Sequence, residues 1–160
     1  MPRIAVCAAA LLLSGAAGAA SAAERPTAYD EMIARHAAAH GVPAAFVHRV
    51  IMRESRYNPR SVHRRCYGLL QIKYATARSM GYRGGPKGLL DPEVNLTYAI
   101  PYLSNAFRIA GGNEDRAIVL FSSGYYFTAK RQNQLSELRT ASTPALAAQT
   151  AAAKLPEGYP

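Results

Sequence analysis

The chain reads as a single all-α, mainly helical domain, because apolar residues recur at helical spacing and strand-like alternation is nearly absent over its 160 residues. That length, with 49 % apolar residues, supports one core and is short for two domains. The expected division is residues 1–23, a domain over 24–139, and a tail over 140–160 that is Ala-rich, carries Pro144, Pro156 and Pro160, and is expected to be flexible.

Residues 1–23 open Met-Pro-Arg, continue in an apolar run over 4–13 and end in small residues, the pattern of a secretory signal peptide. The run is too short to span a bilayer and nothing later is long enough, so the expectation is export without stable membrane insertion once the signal is removed. Cys7 would leave with the signal, Cys66 would remain alone, and an internal disulfide is then ruled out. Loss of Arg3 takes the formal net charge from +9 to +8, from 18 basic and 10 acidic residues. Such a surface favours anionic partners. Export and the lack of a motif with interleaved aromatics argue against nucleic acid.

Thr27 before Ala28-Tyr29-Asp30 resembles a capping box and predicts a first helix to about His40, ended by Gly41-Val42-Pro43. A second helix begins near Pro43 and runs to about Arg56. Residues 57–67, polar and basic, predict a loop, and 75–80 a short helix closed by Gly81. Residues 82–88, with Gly84-Gly85-Pro86, predict a mobile surface loop. Asp91-Pro92 starts a long core helix through Leu96, Ile100, Leu103 and Phe107, with a kink expected at Pro101 and an end at Gly111-Gly112. Asn113 caps the next helix, which stops near Ser122-Ser123-Gly124, and a last one is expected over 128–138.

Most acidic residues have ordinary explanations, such as Asp91 as a cap and Glu114 and Asp115 in a first helical turn. Glu54 differs: Val47, Val50 and Ile51 define an apolar face on which residue 54 falls next. A carboxylate there is poorly solvated, so its pKa should rise and leave a proton available for general acid catalysis. An ordinary ion pair with Arg53, Arg56 or Arg64 explains the same position equally well.

The blocks Glu54-Ser55-Arg56-Tyr57-Asn58-Pro59, Tyr67-Gly68-Leu69-Leu70-Gln71-Ile72, Thr76-Ala77 and Leu90-Asp91-Pro92-Glu93-Val94-Asn95-Leu96 closely resemble the soluble lytic transglycosylase family, whose fold is goose-type lysozyme-like with helices packed around a substrate cleft. The resemblance covers roughly 27–131. It implies cleavage of the β-1,4 bond between N-acetylmuramic acid and N-acetylglucosamine in peptidoglycan, leaving a 1,6-anhydro end. It makes Glu54 the catalytic residue, puts Ser55 near the reacting sugar, and makes Gly68, Leu70 and Gln71 the block lining the cleft, with Leu70 where methionine is commoner. Asn95 matches an asparagine of structural or supporting role; a plain helix-surface polar group is the alternative.

Four departures accompany the resemblance. The loop before Gly68 is about one residue short, Cys66-Tyr67 replaces the usual Gly-Ala, and Lys73 follows Ile72 where the family has proline. Phe121-Ser122-Ser123-Gly124 stands for Tyr-Asn-Ala-Gly, so a phenolic hydroxyl is missing, and Tyr125 or Tyr126 is the expected replacement.

Glycosidases ordinarily use two carboxylates. A transglycosylase of this family needs one, because the substrate's own C6 hydroxyl attacks, and neither metal nor cofactor is required. The competing readings are a hydrolysing muramidase recruiting Asp91 or Glu93, and a catalytically weak wall-binding or secretion-apparatus protein. His36 and His40, four apart, lack the intervening glutamate and third ligand of a zinc site and read as solvated surface histidines. His63 with Cys66 lacks an orienting partner for a cysteine nucleophile. The resemblance implies action on peptidoglycan glycan strands, the signal peptide places the protein in the periplasm or outside the cell, and the expectation is a monomer with a secretion or flagellar machine as an open partner.

Overall fold

The computed structural model describes residues 27–143; the signal-peptide expectation and most of the tail lie outside the described residues. A 3-10 turn, Thr27–Tyr29, leads into α1 (Asp30–His40). Tyr29 at its N-cap makes no side-chain cap bond, so the anticipated capping box does not start this helix. Gly41, left-handed at φ 65°, closes it, its N–H donating to the Ala37 and Ala38 carbonyls. Pro43 is the N-cap of α2 (Ala44–Glu54) rather than its first residue.

Residues 57–67, expected as loop, contain two strands of a small antiparallel sheet: β1 (Val62–His63), β2 (Cys66–Tyr67) and β3 (Ile72–Lys73), in the order β1-β2-β3. Each strand has only two residues, too few for alternation to be visible in sequence. α3 (Tyr74–Ser79) follows. The segment expected as a mobile loop, 82–88, runs into a 3-10 turn, Pro86–Leu90, and is pinned by buried Tyr82, whose hydroxyl donates to the Gly85 carbonyl at 2.8 Å.

α4 (Pro92–Ile109) is the axis of the fold. Asp91 caps it by accepting from Val94 N–H at 2.9 Å, as expected. The helix runs continuously through buried Pro101, and its Leu96, Ile100 and Leu103 lie in the same core as Phe46 and Ile51 of α2. Asn113 caps α5 (Glu114–Ser123) through Arg116 N–H. The last expected helix is split: α6 (Tyr126–Arg131) ends before Asn133, left-handed at φ 57°, and a 3-10 turn follows at Leu135–Glu137. Among the described residues no helix is long and apolar enough to cross a membrane.

Asn95 holds the sheet to α4. It is fully buried, accepts from Leu70 N–H at 3.0 Å, and donates to the Tyr67 and Leu89 carbonyls at 2.8 and 2.9 Å. It is therefore a structural crosslink and not a surface group. Gly68 lies against it: at φ 71° a side chain is strained, and a Cβ would overlap Asn95 Nδ2 and the Leu89 carbonyl.

Candidate active site

Glu54 is the last residue of α2. After it the chain leaves the helix through two left-handed non-glycine residues, Arg56 (φ 52°) and Tyr57 (φ 62°). This costly turn is held by Tyr57, which is buried, has its hydroxyl 2.8 Å from His48 Nδ1 and stacks on Tyr29. The Glu54 side chain is 22 % exposed, and its nearest cation is the adjoining Arg53, Nε at 3.8 Å from Oε1. No pairing with Arg56 or Arg64 occurs among the described residues. Burial pushes the carboxyl above its ordinary value of 4.5 against the pull of Arg53, and the C-terminal end of a helix is an unfavourable place for a negative charge.

The carboxyl opens into a cavity of about 340 Å³. Its wall on one side is the sheet edge and the start of α3: Cys66, Gln71, Lys73 and Thr76. On the other side are Tyr102 of α4 and the end of α5, Phe121–Gly124. Several of these polar groups are already spent on the fold. Ser122 and Ser123 donate to the Ile118 and Val119 carbonyls, and Gln71 Nε2 donates to the Ser61 and Gly68 carbonyls. Available to a ligand are the Glu54 carboxyl, Gln71 Oε1, the Lys73 ammonium and the Thr76 and Tyr102 hydroxyls, which have no hydrogen-bond partner among the described residues. Burial pushes the Cys66 thiol up, Lys73 opposing and Glu54 assisting.

Of the residues expected to line the cleft, Glu54 and Gln71 do so. Gly68 and Leu70 are buried beneath the wall, and the Ser55 hydroxyl turns back to the Ile51 carbonyl at 3.3 Å. Neither tyrosine expected to restore the phenol lines the cavity. Tyr125 is buried, its oxygen accepting from Asn105 at 3.0 Å, and burial pushes its pKa up; Tyr126 is largely exposed on α6. The phenol facing the cavity is that of Tyr102, whose ring rests between Phe121 (5.5 Å) and Tyr125 (4.6 Å) and whose pKa burial also raises. In sequence Tyr102 hides within the apolar spacing of α4; its one signal is Tyr98 four residues before.

The alternative acids are elsewhere. Glu93 is bound to Arg35 (2.7 Å) and His36 (2.8 Å), which hold its carboxyl below the ordinary range despite the opposing effect of burial, and Asp91 is engaged as a cap. Glu54 is the cavity's one lining carboxylate among the described residues. The two histidines expected to be solvated are not: His40 is buried, which lowers its pKa, and His36 is bound to Glu93. Among the described residues no cluster of three metal-ligating side chains occurs.

The helical architecture is shared with the 70 kDa soluble lytic transglycosylase from Escherichia coli, with a TM-score of 0.60 at 22 % identity over 72 % of this chain and 20 % of that one. A structure of the 70 kDa soluble lytic transglycosylase in complex with bulgecin A aligns at a TM-score of 0.59 and 24 % identity, over 68 % and 19 % of the two chains. The chain belongs to the Transglycosylase SLT domain family, whose model matches residues 31–143. Its curated relatives include the soluble lytic murein transglycosylases of Escherichia coli K12 and O157:H7, each 29 % identical over 109 residues, 63 % of this chain. The match spans only 16 % of those relatives' length.

Proposed function

We propose that the protein is a peptidoglycan lytic transglycosylase that cleaves the β-1,4 bond between N-acetylmuramic acid and N-acetylglucosamine with Glu54 as both acid and base. The observation that carries this reading is half-buried Glu54, the cleft's one carboxylate among the described residues, protonated more readily than an ordinary carboxylate. Glu54 donates its proton to the glycosidic oxygen as the C1–O bond breaks, and the muramyl N-acetyl group stabilises the electron-poor C1. The resulting Glu54 carboxylate then takes the C6 hydroxyl proton while O6 bonds to C1, closing the 1,6-anhydro ring and leaving Glu54 protonated again. No water, metal or cofactor enters this cycle. Gln71 Oε1 and the Thr76 and Tyr102 hydroxyls are neutral groups available to orient the sugar. Export through residues 1–23 would bring the enzyme to its substrate in the periplasm.

A hydrolysing muramidase needs a second carboxylate near the sugar, and Asp91 and Glu93 are otherwise engaged. A wall-binding accessory role is favoured by the altered Phe121–Gly124 segment, and the same experiment separates it. Purified peptidoglycan sacculi are incubated with the full chain or its Glu54→Gln variant, and soluble products are read by mass spectrometry. Anhydro-muropeptides from the first alone support transglycosylation; reducing ends mean hydrolysis, and no products from either leave the accessory role.

A further inference from the structure

The positive charge of the described residues is segregated. Residues 55–90 carry eight Arg or Lys and no Asp or Glu, and all eight are exposed. None of them has an ion pair among the described residues. The remaining described residues, 27–54 and 91–143, carry eight basic and eight acidic side chains, so the net positive charge of the described part lies on the sheet-bearing segment alone.

That segment runs into the cleft. The strand register pairs His63 with Cys66 and Cys66 with Lys73, which puts these three on one face of the sheet, and Cys66 and Lys73 line the cavity with Glu54. At the far end of that face β1 and β2 are joined by Arg64 and Arg65, both left-handed (φ 47° and 65°). A two-residue turn with both φ positive is the geometry that Asn-Gly occupies with least strain. Two arginines there accept a conformational penalty and set two exposed cations in the turn directly before Cys66, which lines the cleft.

We propose that the β1–β2 hairpin and Lys73 form a carboxylate-binding wall that engages the acidic peptide branches of a peptidoglycan strand whose glycan lies against Glu54. This rests on the peptidoglycan reading of the cleft. A single carboxylate on an extended branch can reach Lys73 inside the cavity, whereas a bilayer surface cannot enter it, so the continuity of the cationic face with the cavity favours the branched polymer over a membrane.

The test measures retention of the full chain carrying Glu54→Gln, so that substrate is not consumed, on three surfaces: native sacculi, sacculi whose carboxyl groups have been converted to amides, and phosphatidylglycerol vesicles. Native sacculi should hold the protein about tenfold more tightly than amidated ones, an effect that added salt weakens. Adding Arg64→Asn with Arg65→Gly should cost about tenfold in binding to native sacculi while the melting temperature stays level or rises by a few degrees, because the new pair suits the turn. The charge-matched control, Arg116→Ala with Arg131→Ala, should change binding less than twofold. Equal retention on native and amidated sacculi, equal losses in the two double variants, or stronger retention on vesicles overturns the proposal. Carboxylate-dependent retention by a chain whose wild type yields no anhydro products would sink the reaction and leave the wall standing.

Discussion

Residues 55–90 and the helices on either side of them solve different problems. The helices balance eight cations with eight acids and build the core from Phe46, Ile51, Leu96, Ile100 and Leu103. The segment between them has only cations, three strands of two residues each, and five of the six non-glycine residues with positive φ among the described residues: Arg56, Tyr57, Arg64, Arg65 and Gln71. Glu54 sits at the junction, the last residue of the well-packed part and the first wall of the cleft. Strain and unbalanced charge collect where a ligand would touch the protein, and the helices supply the stability that tolerates them.

The largest expected effect crosses that junction. Glu54→Gln should lower the rate of glycan cleavage by about a thousandfold, the range for loss of a general acid and base. Stability should move the other way. Because the folded-state pKa of Glu54 is raised, its contribution is fully present below the ordinary carboxylate value and is lost as pH rises through the folded one. Thermal melts should therefore show the Gln variant more stable than wild type at neutral pH, with the gap closing below about pH 4.5. A Gln variant that melts lower at neutral pH would show that Glu54 is a structural ion-pair member. The wild-type rate should fall on its alkaline limb at a pH above 4.5, where Glu54 loses the proton it must donate.

The joint between sheet and α4 comes next. Gly68→Ala combines a positive φ with overlap against Asn95 and the Leu89 carbonyl and should cost about 3 kcal/mol. Gly81→Ala, at φ 105° with nothing within 4 Å of its Cβ, has strain without overlap and should cost about 1–2 kcal/mol. Denaturant melts of the two compare the crowded joint with an open turn; equal losses would mean that Asn95 yields and the crosslink is soft.

Helix positions were readable from sequence because Val47, Val50 and Ile51 on α2 and Leu96, Ile100 and Leu103 on α4 obey a 3.6-residue period set by one shared core. The sheet was not, since its strands have two residues each and Asn95 ties it to α4 by reaching Leu70, Tyr67 and Leu89 from 25, 28 and 6 residues away in the chain. The same limit divides the site. Glu54 is an acid on an apolar face and stands out locally, and Gln71 follows from the motif around it. Tyr102 belongs to the cleft because α4 and α5 bring it beside Phe121, and that pairing is invisible along one helix.

A smaller effect separates the two phenols of that neighbourhood. Tyr102→Phe removes a hydroxyl facing the cavity, so cleavage should slow by about tenfold with the melting temperature unchanged. Tyr125→Phe removes the oxygen that accepts from Asn105, whose Nδ2 keeps its bond to the Arg139 carbonyl. It should cost about 1 kcal/mol of stability and little activity. Rates and melts together decide: a Tyr125→Phe enzyme that loses activity at full stability would move the functional phenol back to the position expected from sequence.

The smallest effect concerns charge alone. Arg49 on α2 pairs with Glu114 and Asp115 on α5, and both acids raise its already high pKa. The group is exposed, water competes for it and salt screens it, so Arg49→Ala should leave the melting temperature unchanged. It should equally leave sacculus binding unchanged, because its charge is already neutralised within the helical part, whereas Arg64 and Arg65, in the turn before the cavity-lining Cys66, have no ion pair among the described residues. If Arg49→Ala weakened binding as much as the hairpin variant does, the total charge of the protein and not its placement would govern attachment, and the contrast between the two regions would lose its functional meaning.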